Sequence, residues 1–197
     1  MSAAGSLPPP APRIGLTGGI ACGKSLFLRR LEALGFETLD ADDIVRGLVP
    51  ERERRRLAKT VFKDAAARKA LEAKLHPVVR ERIGRFFAGS ERGCVRGSGP
   101  NRIAAVPLLY EAGWEGDFDV VACIASSREK QVSRMVQTRG MTPEEAADRI
   151  AAQMDVREKA ARADWVAEND GSPAELAAKA EEFARWIESG AWRRRTT

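Results

Sequence analysis

One stretch near the start of the chain limits its fold more than any other: Gly18-Gly19-Ile20-Ala21-Cys22-Gly23-Lys24-Ser25. It follows a short apolar run, Ile14-Gly15-Leu16, and precedes Leu26 to Leu34, which reads as a helix. This is the pattern G-x-x-x-x-G-K-[ST] in a strand–loop–helix setting. Glycines open backbone conformations closed to other residues, so successive N–H groups can turn toward one anion. The helix that opens here adds its unpaired N–H groups and the positive end of its dipole. Lys24 supplies a mobile cation for the outer phosphates of a nucleotide, and Ser25 a hydroxyl for Mg²⁺.

The rest of the chain narrows the setting. Its 197 residues suit one domain with a small insertion or lid. No apolar run approaches the ~20 residues needed to span a bilayer, so no membrane partner is expected. Residues 1–12 are rich in Ala, Pro, Ser and Gly, without an apolar core or early positive charge. They read as a disordered leader, not a signal peptide. Cys22, Cys94 and Cys123 form no C-x-x-C pair or disulfide framework, which fits a reducing cytoplasm. Cys22 reads as a small side chain filling the loop. The net charge of +5 suits a polyphosphate substrate as well as it suits nucleic acid. With no RNA-binding signature or zinc-finger spacing, nucleic acid is not an expected partner. A single histidine, His76, excludes a multi-histidine metal site.

Along the chain, Gly35 is a good stop for the first helix. Phe36 to Leu39 reads as a second strand, delivering Asp40-Ala41-Asp42-Asp43. If that strand runs parallel to the first, the acids emerge on the same sheet edge as the loop. That placement suits a Mg²⁺ ligand or a general base for a substrate hydroxyl. Capping a helix would need one aspartate, not three. Residues 44–88 are helical in pattern, broken at Pro50. Arg52, Arg54, Arg55 and Arg56 read as a solvated face. Leu75, Val78, Val79, Ile83, Phe86 and Phe87 recur at helical spacing, with Pro77 expected at a helix start and His76 as a packed or capping residue.

Residues 89–101 read as a loop. Ile103 to Val106 is a third strand, followed by Pro107-Leu108-Leu109-Tyr110-Glu111. It has no aspartate at its end, which leaves the acids at 40–43 to serve the metal. Asp119 to Ile124 is a fourth strand, after which Ser126 and Glu129 are expected to form a capping box on a helix reaching about Gln137. Thr142-Pro143-Glu144-Glu145 opens another helix. Of Arg134, Arg139, Arg149 and Arg157, one to three are expected to act as a lid over about residues 134–160. Trp165 to Glu168 is a fifth strand. Asn169-Asp170-Gly171 is a turn, and Ser172-Pro173-Ala174-Glu175 caps a final helix. Residues 191–197 read as a flexible basic tail. The expected fold is therefore α/β, a doubly wound parallel five-stranded sheet of P-loop NTPase type. A helical substrate-binding insertion (44–102) divides a core of 13–43 and 103–190.

Several anchors stand in a fixed order: Leu16-Thr17-Gly18-Gly19-Ile20-x-x-Gly23-Lys24-Ser25, Asp40-Ala41-Asp42, Leu75-His76-Pro77 and Val106-Pro107-Leu108-Leu109. They continue with Gln137-Thr138-Arg139, Ala152-Gln153 and Asn169-x-Gly171. The set resembles the dephospho-CoA kinase family over about residues 13–188. That resemblance implies ATP-dependent phosphorylation of the 3′-hydroxyl of dephospho-CoA, with Mg²⁺, in a cytoplasmic monomer or small homo-oligomer. It implies that Gly18, Gly19, Ile20, Ala21, Cys22, Gly23, Lys24, Ser25 and Leu26 bind ATP, together with Arg139 and with Asn169 near the adenine. Asp42 would be the base, and Lys24 and Arg139 would share in catalysis. Ser25 and Asp42 would hold the metal. Asp42, His76, Leu108 and Arg157 would meet the acceptor. The chain departs from the family in having Leu26 for Thr, Ala21 and Cys22 for the commoner Gly and Ser, and a segment between Asp42 and His76 shorter by roughly two dozen residues.

Other readings stay open at this level. One is a different small-metabolite or nucleoside monophosphate kinase. Another is an ATP-binding protein without transfer activity. A switch GTPase is disfavoured, since neither N/T-K-x-D nor D-x-x-G is present.

Overall fold

The computed structural model describes residues 11–49, 65–89 and 99–195. Five strands form one sheet: β1 (Arg13–Gly18), β2 (Glu37–Asp40), β3 (Arg102–Ala105), β4 (Val120–Ala125) and β5 (Trp165–Glu168). They are all parallel, in the order β2-β3-β1-β4-β5. With β1 central, its Ile14 and Leu16 are wholly buried. Such near-continuous apolar runs mark a strand covered on both faces.

Side chains alternate between two cores, as the period of a strand requires. Ile103 and Ala105, with Val120, Ala122 and Ile124, face α1 (Lys24–Ala33) and α7 (Pro173–Glu188). Phe27, Trp165 and Phe183 meet there as a ring cluster, with Trp165 and Phe183 centroids 4.9 Å apart. Ala104, Val106 and Val121 face α2 (Ala41–Leu48) and α3 (Ala65–Ala88), the latter through Val79, Ile83 and Phe87. Arg80 of α3 grips Asp117 with two 2.6 Å hydrogen bonds, holding α3 against the 3₁₀ turn Glu115–Asp117. Helices on both faces of an all-parallel sheet make the doubly wound architecture expected of the sequence.

Three helices lie between β4 and α7. They are α4 (Arg128–Arg139), α5 (Pro143–Ala151) and α6 (Val156–Arg162). Thr142 and Glu145 form a full capping box on α5, and Ser172 caps α7 by accepting from Glu175 N–H. Ser172→Ala is expected to cost about 1 kcal/mol. In urea this appears as a lower midpoint with an unchanged slope.

Two local expectations are corrected. α4 is capped by Ser127, which accepts from Lys130 N–H, and not by Ser126. Strand β4 runs one residue further than expected, and buried Ser126 instead donates 2.7 Å to the carbonyl of Asn169. Pro77 does not start a helix but lies inside α3. Proline deprives the carbonyl four residues back of its partner. Ala73 and Pro77 both lie on the exposed side of α3, where water can take that role. At the C-terminal end, Ala191–Arg195 forms a 3₁₀ turn, and Trp192 packs on the α1–α7 core. The arginines at 52–56 and Cys94 lie outside the described residues.

Candidate phosphate-transfer site

The site starts where β1 ends. Gly18 has φ +141°, and a Cβ there would lie 2.2 Å from the Ile124 carbonyl oxygen of the neighbouring strand. Only glycine lets the chain leave β1 so close to β4. Gly23, at φ +98°, starts α1, and a Cβ on it would lie 2.4 Å from Nδ2 of Asn169. Between them Ala21 holds a left-handed φ of +57°.

The start of α1 differs from that of the five helices whose caps are described. Asp40, Ser127, Thr142, Asp155 and Ser172 cap α2, α4, α5, α6 and α7 with side-chain oxygens. α1 has no side-chain cap and no acid in its first turn. Its N–H groups and positive dipole end are left for an external anion. Lys24, half-buried, folds back so that Nζ donates to the carbonyls of Gly18 (2.9 Å) and Gly19 (2.8 Å). Burial pushes its ammonium below the ordinary lysine range; Lys159 adds to this and the Asp42 carboxylate opposes it. Ser25 stays exposed beside it.

Register brings the acids to the same edge. Leu16 of β1 and Asp40 of β2 both pair with Ala105 of β3, so parallel β2 ends level with Leu16, two residues before β1 ends at Gly18. The three carboxylates then divide their work. Asp40 caps α2, accepting from Asp42 N–H at 2.9 Å. Asp43 forms an ion pair with Arg46. The Asp42 carboxylate has no hydrogen-bond partner among the described residues. It stands open to solvent at the mouth of the site, yet the protein packed around it raises its carboxyl above the ordinary range. The neighbouring Asp40 raises it further, and Lys24 pulls the other way.

A cleft of about 410 Å³ adjoins the loop, lined by Gly19 and Ile20, the start of α4, and residues 150–157 at the α5–α6 junction. Gln153 and Arg157 line it; Arg157 pairs with Glu168 at 2.8 Å. Gln153 Oε1 is buried and has no donor among the described residues. His76 meets Trp114 edge-on, with centroids 5.1 Å apart, and Leu108 is half-buried in the turn after β3. Arg139 is the exposed last residue of α4. Asn169 is buried and spends Nδ2 on the carbonyl of Cys22 at 2.8 Å. The Cys22 thiol is fully buried, and burial raises its pKa, as befits a space-filling side chain rather than a nucleophile.

The family profile described as dephospho-CoA kinase matches residues 13–54 and 50–175. The chain belongs to the dephospho-CoA kinase family. A dephospho-CoA kinase of Anaeromyxobacter dehalogenans is 38% identical over 207 aligned residues, covering 92% of this chain and 94% of its own. A crystal structure titled TT1252 from Thermus thermophilus is 34% identical with a TM-score of 0.69, covering 90% of this chain and 98% of that one. The dephospho-CoA kinase structure from Campylobacter jejuni, 24% identical with a TM-score of 0.64, shows the same fold over 91% of this chain and 98% of that one. The 207 aligned positions exceed the 197 residues here, so this relative has residues with no counterpart in the chain. The two pieces of the family match meet at 50–54, inside the segment expected to be short.

Within this family member the structure adds Lys159, which no sequence motif marks. It is wholly buried. Its Nζ lies 2.7 Å from Glu111 Oε1 and 2.8 Å from the carbonyl of Pro107. Pro107 also accepts from the Thr17 hydroxyl, and Glu111 from Met154 N–H. One ammonium thus joins the end of β1, the segment after β3, and the α5–α6 junction. The signal was available: Val156, Lys159, Ala160 and Ala163 fall on one helical stripe, so the lysine sits among inward-facing positions.

Proposed function

We propose that the chain transfers the γ-phosphoryl group of ATP to the 3′-hydroxyl of dephospho-CoA, giving coenzyme A and ADP. The observation that carries this reading is the division among the three acids. Asp40 and Asp43 are occupied, while Asp42 has no hydrogen-bond partner among the described residues, at the edge where the phosphate loop and Lys24 converge.

Catalysis here is positioning and electrostatics. The uncapped start of α1 and the loop N–H groups hold the β-phosphate region of ATP. Lys24 leaves the Gly18 and Gly19 carbonyls for the phosphate oxygens and follows the charge as it moves. Asp42 orients the acceptor hydroxyl and takes its proton as the oxygen attacks in line. Arg139 and Arg157 stand on the lid side, where they offset charge on the nucleotide and the acceptor. His76 and Leu108 contact the acceptor, and Asn169 closes the adenine end of the loop.

Ser25 Oγ and the Asp42 carboxylate are the oxygen donors that would hold Mg²⁺. Among the described residues no group of three or more His, Cys, Asp or Glu could bind a metal by itself. This suits an ion that keeps several waters and takes its remaining ligands from phosphate. When bound, Mg²⁺ neutralises phosphate charge. The protein works in the cytoplasm as a monomer or small homo-oligomer, without nucleic-acid or membrane partners; no described helix is long and apolar enough to cross a membrane.

A coupled assay of ADP release tests the reading. Dephospho-CoA is expected to raise release far above the rate with water alone, and nucleosides and other small alcohols are not. Release driven by a nucleoside but not by dephospho-CoA would assign another acceptor. ATP binding with no acceptor-dependent release would make the chain a binding protein.

A further inference from the structure

We propose that Gln131, Arg134 and Asn169 are positioning residues that hold the phosphate loop open for ATP from outside. The inference rests on reading residues 18–25 as the ATP phosphate site. It follows from where the loop carbonyls go. Lys24 takes those of Gly18 and Gly19. The next three are each held by a different side chain from a distant part of the chain. Gln131 Nε2 donates to Ile20 O at 2.8 Å, Arg134 Nη1 to Ala21 O at 3.2 Å, and Asn169 Nδ2 to Cys22 O at 2.8 Å.

In a trans peptide the C=O and the following N–H point in opposite directions. Three carbonyls drawn outward therefore turn the N–H groups of Ala21, Cys22 and Gly23 inward. Those of Ala21 and Gly23 have no acceptor among the described residues, and that of Cys22 makes only a 3.4 Å turn contact to Gly19 O. Unpaired amide donors facing one concavity are the chemistry of an anion nest. Ala21 is also the loop residue in a left-handed conformation, which costs a non-glycine residue free energy and persists only under external constraint. Its carbonyl is the one that Arg134 holds.

The anchors are themselves braced. Gln131 and Asn169 are 2% and 6% exposed. Arg134 donates also to Ser126 Oγ (3.0 Å) and to the Asn169 carbonyl (2.7 Å). The guanidinium therefore ties the ends of β4 and β5 to the loop in one ring of hydrogen bonds. Donors fixed before the ligand arrives need no reorganisation when it does.

The test is titration calorimetry with ATP and with inorganic triphosphate, alongside KM values for both substrates. Gln131→Met keeps length and removes the donor. It is expected to weaken both ligands about tenfold, the scale of one orienting hydrogen bond. KM for ATP should rise in step, with KM for dephospho-CoA unchanged; a merely structural role would not split the two substrates. Arg134→Lys keeps the charge but replaces the planar two-nitrogen fork with one nitrogen that cannot span the same acceptors, and is expected to act in the same direction if Gln131→Met does not fold. Wild-type triphosphate affinity in either folded variant overturns the proposal. Failure of the wild-type chain to bind ATP would overturn the phosphate-site reading itself.

Discussion

Asp42→Asn is expected to reduce turnover by a factor on the order of 10²–10⁴, the usual contribution of a positioned base. ATP affinity should change little, because the loop, Lys24 and Ser25 are untouched. The amide keeps the shape of the carboxylate but cannot take a proton from the acceptor hydroxyl. The dependence on pH gives a second readout. The Asp42 carboxyl lies above the ordinary carboxylate range because of its surroundings and the adjacent Asp40. Turnover should therefore climb with pH above that range, and the climbing limb should vanish in the variant. The sign for stability runs opposite to that of a salt-bridged acid. A raised value in the folded state means the fold favours the protonated form. That contribution is complete below the unfolded carboxylate range and is lost as pH rises through the raised value. Asp42→Asn should therefore not lower the melting temperature at neutral pH. Near-normal turnover in a folded Asp42→Asn enzyme would remove Asp42 from the mechanism.

Lys159→Met is expected to destabilise the fold by about 3–5 kcal/mol, because it removes one partner of a buried ion pair. The Lys159 side chain is 0% exposed and that of Glu111 24%. Without the ammonium, the partners left among the described residues are the Met154 N–H for Glu111 and the Thr17 hydroxyl for the Pro107 carbonyl. Typical domains have only about 5–15 kcal/mol in total, so the loss would show as a large fall in the urea midpoint. Adding Glu111→Gln removes the stranded carboxylate and should recover much of it. A double variant no more stable than Lys159→Met would show that the ammonium's contacts with Pro107, not the charge pair, dominate.

Much of this was legible in the sequence, for physical reasons. β5 and the α7 cap could be read because a short apolar run before Asn-Asp-Gly and a Ser-Pro-x-Glu start are local signals that packing did not overrule. The phosphate loop was legible because glycines at 18 and 23 are forced by positive φ and close neighbours, the Ile124 backbone at 18 and the Asn169 side chain at 23, not by preference. What failed were places where a local rule met a competing partner. Ser126 looked like a cap, but a buried carbonyl at Asn169 claimed its hydroxyl. Pro77 looked like a helix start, but the exposed side of α3 tolerates it. Residue patterning left the three acids equal and only the family resemblance pointed to Asp42, because its distinction is negative: its neighbours' side chains have partners, and it has no hydrogen-bond partner among the described residues. Gln131 carries no motif, since its partner is a backbone carbonyl, which leaves no trace in side-chain spacing; Lys159 shows only in its helical stripe, since its partners Glu111 and the Pro107 carbonyl are remote in the chain.

The hydrogen bonds behind the phosphate loop also bear on how far the motif can act alone. Residues 13–49 carry the entire G-x-x-x-x-G-K-S pattern, yet two of its carbonyls depend on α4 and one on the end of β5. The nucleotide site is thus an assembly of both halves of the chain. Local opening at the β5–α7 end loosens it before global unfolding. With ATP bound to the loop amides, their protection in amide exchange will follow that of β5 rather than that of the helix that follows the loop in sequence.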